Sequence, residues 1–342
     1  MTKPITIAID AMGGEDSPKK IIDGIEIALN NNKEYFFQLY GNSIILKEFL
    51  NKKKHLKSYC EVFDSKNSIA DDESPLAAAK KGNSTSMWAA IESQLKNDAQ
   101  ITLSAGNTGA LLVISRLVLK MLNGVDKPAL AGLWPNKNNV NVVLDLGANI
   151  ECNEKHLTDF CNMGAALYKS LFPEDVAKVG LLNVGSEENK GNEILKKTYS
   201  ILKENSSNDY IFSGYIEGNE IMNGDMNVIV TDGFTGNIAL KTAEGTSRFL
   251  TTKLKEVFSN NIIAKLGMLL AYSPLKKFKE KLDPRKYNGA IFLGLNGPVV
   301  KSHGSTDALG FSYSIEMCDK IIRGNLINKI NKNLNSIDLK RT

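Results

Sequence analysis

Short apolar runs alternate with longer amphipathic stretches along most of the chain. Ile5-Thr-Ile-Ala-Ile9 alternates as a half-buried strand does. Further strands are predicted at 36–40, 60–63, 101–103, 129–133, 141–145, 178–182 and 228–231. Helical spacing is read at 18–30, 86–97, 110–122, 155–171 and 192–202. Strands alternating with helices predict an α/β protein with a largely parallel sheet. No internal repeat is evident. The Asn/Lys-rich tail from Asn325 to Thr342 is expected to fray beyond a last helix.

The polar positions gather where the strands end. The first strand runs into Asp10-Ala-Met-Gly-Gly14, and another into Ser104-Ala-Gly-Asn-Thr-Gly109. The same mixture follows at Asp145-Leu-Gly-Ala-Asn149, Asn183-Val-Gly-Ser186, Asp232-Gly-Phe-Thr-Gly-Asn237 and Leu293-Gly-Leu-Asn-Gly297 through Asp307. Open α/β sheets bind ligands at the carboxyl ends of their strands. Strand, glycine-rich loop and helix in succession aim backbone N–H groups and a helix N-terminus at an anion. A polar, phosphate-type site built from these loops is therefore expected.

Composition narrows the choices. At 342 residues the chain can form two α/β domains or one large one. The net charge of +4 comes almost wholly from Lys against only five Arg, and gives no reason to expect a nucleic-acid partner. Cys60, Cys152, Cys161 and Cys318 are scattered without a CxxC, so they read as reduced thiols in a cytoplasmic protein. No signal peptide and no membrane-length apolar stretch is read. The chain lacks a dinucleotide fingerprint, a P-loop and a GxSxG elbow.

The residue types at the loops suit phosphate binding and oxyanion stabilisation, with Lys190, Lys241 and Lys301 close by in sequence. His55, His156 and His303 are far apart, and no metal or other cofactor is expected. Asp145 and Asp232 could hold Mg2+ or position their own loops, and both readings stay open. His303, in Lys301-Ser-His-Gly-Ser305, reads as functional or as a brace of its loop. Lys190 reads as a counter-charge or as part of a solvated charge run.

A second feature spans 258–286. Apolar residues at 258, 262, 263, 266, 269 and 270 fall on one helical face. Beyond Pro274 the chain turns basic, with Lys276, Lys277, Lys279 and Lys281. Packing against a second subunit, docking an acidic protein and lying on an anionic membrane surface all fit this pattern.

Taken together and in order, the loop motifs resemble the bacterial phosphate acyltransferases, the acyl-ACP:phosphate transacylases of phospholipid synthesis. The matching stretches are 7–14, 104–111, 145–149, 179–185 with 190–193, Asn223-Gly224, 232–241 and 294–305. The resemblance implies a two-lobed, three-layer α/β/α sandwich similar to isocitrate and isopropylmalate dehydrogenases. It implies lobes at 1–125 with 290–330 and at 126–289, and a homodimer. It also implies transfer of a long-chain acyl group from acyl-ACP to inorganic phosphate, feeding a membrane glycerol-3-phosphate acyltransferase, with peripheral membrane contact. For that reaction Ser104, Gly106, Asn107, Thr108 and Gly109 are expected to cradle phosphate, with Lys301 or Lys190 as counter-charge. Asn237, Asn296 or His303 is expected to polarise the thioester carbonyl or protonate the departing sulfur. Asp10, Asp145, Asn149 and Asp232 are expected to position the loops. A nicotinamide-dependent dehydrogenase on the same fold and a non-catalytic carrier- or membrane-docking scaffold are the rival readings.

Overall fold

The structure is a computed structural model that describes residues 4–341 except 206, 208, 260–266, 268 and 282; the side chains of 259, 278–281 and 335–341 are likewise not described. Eleven strands form one continuous sheet. In chain order they are β1 (Ile5–Asp10), β2 (Tyr35–Gly41), β3 (Cys60–Asp64), β4 (Ile101–Ser104), β5 (Ala129–Pro135), β6 (Val140–Leu144), β7 (Lys178–Asn183), β8 (Ile211–Glu217), β9 (Val228–Val230), β10 (Ala290–Leu293) and β11 (Val299–Lys301). Their spatial order is β3-β2-β1-β4-β11-β10-β5-β6-β9-β7-β8. Every strand expected from the sequence is present. The three that were not expected, β8, β10 and β11, are an edge strand or very short.

Helices cover both faces, which makes three layers. One face carries α1 (Lys19–Asn31), α6 (Glu154–Leu171), α10 (Ala308–Arg323) and α11 (Leu326–Arg341). The other carries α4 (Ser86–Glu92) and α5 (Thr108–Leu119). The remaining helices are α2 (Ser43–Lys52), α3 (Pro75–Lys80), α7 (Glu193–Glu204), α8 (Gly233–Ser259) and α9 (Tyr272–Lys281). Strand periodicity explains the two cores. Ile7, Ile9, Leu103, Leu144 and Val230 face α1 and α6, whereas Val143, Ile229, Phe292 and Val299 face the α5 side. Each such side chain, once fully buried, contributes about 1.5–3 kcal/mol. The last helix expected in the tail is α11. Ile330 is fully buried against the α6 layer, so α11 continues as a helix to Arg341.

Strand polarity sorts the polar loops into two groups. β1, β2, β4, β11 and β5 run one way, and the antiparallel β5–β6 pairing reverses β6, β9, β7 and β8. The loops after β1, β4 and β11 therefore leave the sheet with one polarity, and those after β6, β7 and β9 with the other. The sequence pattern, read one strand at a time, does not carry that division.

Candidate functional site

The first group centres on Asp10, at the carboxyl end of β1. Parallel pairing sets Asp10 beside Ser104, and Ser104 beside Lys301. Asp10 is buried, and its carboxylate accepts from Ser86 Oγ at 2.6 Å and Ser104 Oγ at 2.8 Å. Burial pushes its pKa up, while the two hydroxyls, the Met12 N–H and Lys301 oppose that rise. Ser104 Oγ in turn accepts from the Gly106 N–H at 3.1 Å. The loop that opens α5 is thus tied to β1 by one chain of hydrogen bonds.

Two buried lysines meet at this spot. Lys301 Nζ donates to Ala105 O at 3.3 Å and to Ser302 O. Lys20, in the first turn of α1, donates to Gly304 O. They are 9% and 5% exposed, and among the described residues neither forms an ion pair. Burial first, and the Lys20 charge second, push the Lys301 pKa down to about 8. Burial lowers that of Lys20 as well. Gly14, with φ +84°, borders both; a Cβ there would lie 2.8 Å from Ala105 O and 2.9 Å from Lys20 Nζ, so no side chain fits.

His303 stands at the rim. Its backbone N–H donates to Asn288 Oδ1 at 2.9 Å, and Asn288 Nδ2 also holds Ser302 Oγ and Gly310 O. The Ser305 N–H donates to His303 Nδ1 at 3.3 Å, and Ser305 Oγ lies 3.0 Å from the same nitrogen. A backbone N–H can only donate, so Nδ1 is the acceptor and the neutral ring carries its proton on Nε2. Surrounding protein and the Lys301 ammonium lower the His303 pKa, which keeps the ring neutral at pH 7. Lys241 and Glu244 of α8 are also among the charges that act on it.

Asn107 is already engaged. Its Oδ1 caps α5 by accepting the Ala110 N–H at 2.9 Å, and its Nδ2 donates to Asp71 O at 2.8 Å and Glu73 O at 2.9 Å. These bonds fix the side chain expected on phosphate within its loop. Thr108 and Gly109 begin α5, so their N–H groups have no intrahelical acceptor. Asn296 is placed elsewhere. Its amide donates to Leu119 O at 3.1 Å and Met121 O at 2.9 Å, at the far end of α5 from Asn107. Twelve helical residues separate those ends, roughly 18 Å. Asn296, one of the three side chains expected at the thioester, thus has its amide on the carbonyls of the helix terminus.

The second group centres on Asp145, after β6. Its carboxylate is fully buried and accepts from the N–H groups of Leu130, Gly147, Ala148 and Asn149 and from Asn149 Nδ2, at 2.8–3.1 Å. Asn149 Nδ2 also holds Pro128 O. Asp232 caps α8 through the Thr235 N–H and hydroxyl, both at 2.8 Å. A Cβ at Gly236 would lie 2.0 Å from Asp145 O, so α8 can start this close to the Asp145 loop only on glycine. Asn237, one residue on, is exposed and donates to Leu146 O at 3.2 Å. With these partners the two aspartates hold backbone, and among the described residues no His/Cys/Asp/Glu group could hold a metal ion. Lys190 is exposed on the loop after β7. It is not brought to Lys301.

The sequence reading missed Lys20 and Ser86. Lys20 sits in an amphipathic helix, where a charged residue ordinarily faces solvent, and nothing in its spacing reveals burial. Ser86 looks like any helix-start serine. Cys161 and Cys318 are fully buried with their thiols pushed up, and neither can serve as a nucleophile. His156 is spent in the capping box of α6 with Asn153. Lys276 and Lys277 are exposed on α9, whereas the side chains of Lys279 and Lys281 and much of the 258–286 segment lie outside the described residues.

Residues 5–329 match the family model described as "Fatty acid synthesis protein". A phosphate acyltransferase of Pelagibacter ubique is 57% identical over 334 residues, covering 98% of this chain and 100% of that protein. One of Caulobacter vibrioides is 42% identical, covering 98% and 92%. In fold, the chain is similar to a phosphotransacetylase from Streptococcus pyogenes, with a TM-score of 0.63 at 15% identity and coverage of 96% and 95%. It is also similar to a 4-hydroxythreonine-4-phosphate dehydrogenase from Klebsiella pneumoniae, with a TM-score of 0.54 at 12% identity and coverage of 94% and 100%. The dehydrogenase-like three-layer fold is thus shared, while close similarity lies with acyltransferases; this chain belongs to the phosphate acyltransferase family and is an acyltransferase.

Proposed function

We propose that the protein transfers a long-chain fatty acyl group from acyl-ACP to inorganic phosphate, giving acyl phosphate and free ACP thiol for phospholipid synthesis. The observation that carries this reading is the buried ammonium of Lys301 beside the Ser104–Gly109 loop at the N-terminus of α5. A dianion placed there meets a cation, the Gly106 region and the open N–H groups of Thr108 and Gly109. A phosphate oxygen attacks the thioester carbonyl carbon, the C–S bond breaks, and the thiolate leaves and takes up a proton. Phosphate is nucleophilic without a strong base, and a thiol of pKa roughly 8.5 leaves without a strong acid. Orientation can then supply about 7–11 kcal/mol and an oxyanion donor about 3–4 kcal/mol. His303 offers its Nε2–H to the carbonyl oxygen or to sulfur. Asn237 is a second donor at the start of α8. The buried cysteines favour direct attack without an acyl-enzyme.

The reading extends to the whole protein. The lobes are taken as 1–125 with 290–330 and 126–289, with acyl-ACP entering between them. α8 exposes Phe249, Leu250, Leu254 and Val257 at 51–62%, a face suited to a second copy of the chain. Among the described residues no helix is long and apolar enough to cross a membrane. Lys276 and Lys277 suit an acidic carrier or an anionic membrane surface, in keeping with a cytoplasmic protein that hands acyl phosphate to a membrane glycerol-3-phosphate acyltransferase. Mixing the protein with palmitoyl-ACP and phosphate, and trapping acyl phosphate with hydroxylamine, tests the reaction. Phosphate-dependent thiol release with matching acyl hydroxamate is expected; ACP binding without release would overturn it.

A further inference from the structure

Lys20 has no assigned role, yet like Lys301 it is almost without solvent exposure. Its Nζ reaches Gly304 O, while Lys301 Nζ reaches Ala105 O. A Cβ on Gly14 would crowd both carbonyls and the Lys20 ammonium at 2.8–3.0 Å. The two ammonium groups therefore lie close together, each on a backbone carbonyl, and the Lys20 charge acts on Lys301. Buried charges are ordinarily paired. Here Asp71 and Asp10 act on Lys301 through their charges alone, and the Asp10 carboxylate accepts from Ser86 and Ser104. Glu15, Asp16 and Asp71 act on Lys20 through their charges without forming an ion pair among the described residues.

We propose that Lys20 and Lys301 together form the binding site for one inorganic phosphate dianion, with Lys20 as the second cation. The inference rests on the phosphate-transfer reading and locates its acceptor. Two positive charges match the two negative charges of the dianion. Bound phosphate replaces the backbone carbonyls as the partner of each ammonium, and the nearby N-terminus of α5 adds donors. The geometry separates this role from that of Lys190, which stands on the β7 loop. A phosphodiester, such as that of a carrier's prosthetic arm, shares the tetrahedral oxyanion but carries one negative charge, and it is expected to bind more weakly.

Isothermal titration calorimetry with inorganic phosphate, and separately with dimethyl phosphate, tests this on the full chain without acyl-ACP. Wild-type protein is expected to bind phosphate more tightly than the diester. Lys20→Met and Lys301→Met should each weaken phosphate binding by about 10- to 100-fold, as loss of a charged hydrogen bond does. Lys20→Arg should restore part of the affinity. Urea denaturation checks folding, and Lys20→Met is expected to be at least as stable as wild type in phosphate-free buffer, because it removes an unpaired buried charge. Phosphate binding unchanged in a folded Lys20→Met protein would overturn the proposal. So would a comparable loss confined to Lys190→Met, or diester binding equal to that of phosphate. Calorimetry reads the site itself, so phosphate bound through Lys20 without acyl transfer would sink the reaction and leave the site standing.

Discussion

At the scale of single residues, proton positions set the chemistry. The Lys301 pKa is lowered to about 8, against an ordinary 10.5, so its ammonium is present below pH 8 and is lost as pH rises through that value. The KM for phosphate is therefore expected to climb above pH 8, approaching tenfold per unit, with a smaller change in kcat; initial rates at pH 7 to 9 measure it, and a flat KM would remove Lys301 from the acceptor site. His303 has a lowered pKa, so the ring protonates only below its ordinary 6.5. His303→Ala should lower the rate by about 10²–10⁴-fold, the range of a lost proton donor, with an unchanged urea midpoint. An unaltered rate would leave the ring with no part in the mechanism. The sequence offered His303 and Lys301 because they stand in a Gly/Ser loop. Lys20 was not legible, because burial of a helix-surface lysine is decided by what lies over it.

At the scale of elements, two polar side chains expected at the site hold helix ends. Asn107 opens α5 and Asn296 closes it. Asn107→Ala should lower stability by about 1 kcal/mol through the lost cap and should also free the 71–73 segment. Asn107→Asp keeps the cap oxygen but loses both donors to that segment, so chemical denaturation of the two variants separates the cap from the brace. Asn296→Ala should lower the denaturation midpoint and leave kcat near wild type, since its amide serves Leu119 and Met121 at the far end of the helix. A large kcat loss with an intact midpoint would return Asn296 to the acyl site. Gly and Asn serve both at helix starts and around bound anions, because each leaves or supplies N–H groups there. A sequence pattern alone does not separate the two uses.

At the scale of the whole molecule, the reversal of polarity between β5 and β6 is the main organising event. It divides the loops into the group around Asp10, Ser104, Lys301 and Lys20 and the group around Asp145, Asp232 and Asn237. α8 links them, because its N-terminus leans on Asp145 while Lys241 and Glu244 act on His303. The same helix carries exposed Phe249 and Leu254. Phe249→Glu with Leu254→Glu is expected to convert a homodimer into monomer, as measured by size-exclusion chromatography with light scattering; a wild type already monomeric would overturn the dimer reading.

Local chemistry determined much of this protein. Short apolar runs marked eight strands, because strands covered by helices on both faces are apolar almost throughout. Glycine-rich loops after those strands marked the polar sites, because close backbone approach and positive φ exclude a Cβ. Tertiary structure decided which loops meet. β10 and β11 are too short to show periodicity, yet β11 pairs with β4 to set Lys301 beside Ser104, and β10 joins β11 to β5. Burial turned an ordinary α1 lysine into a second cation and turned Asn296 into a helix brace. Both outcomes depend on atoms distant in sequence, and side-chain spacing along the chain carries no record of them.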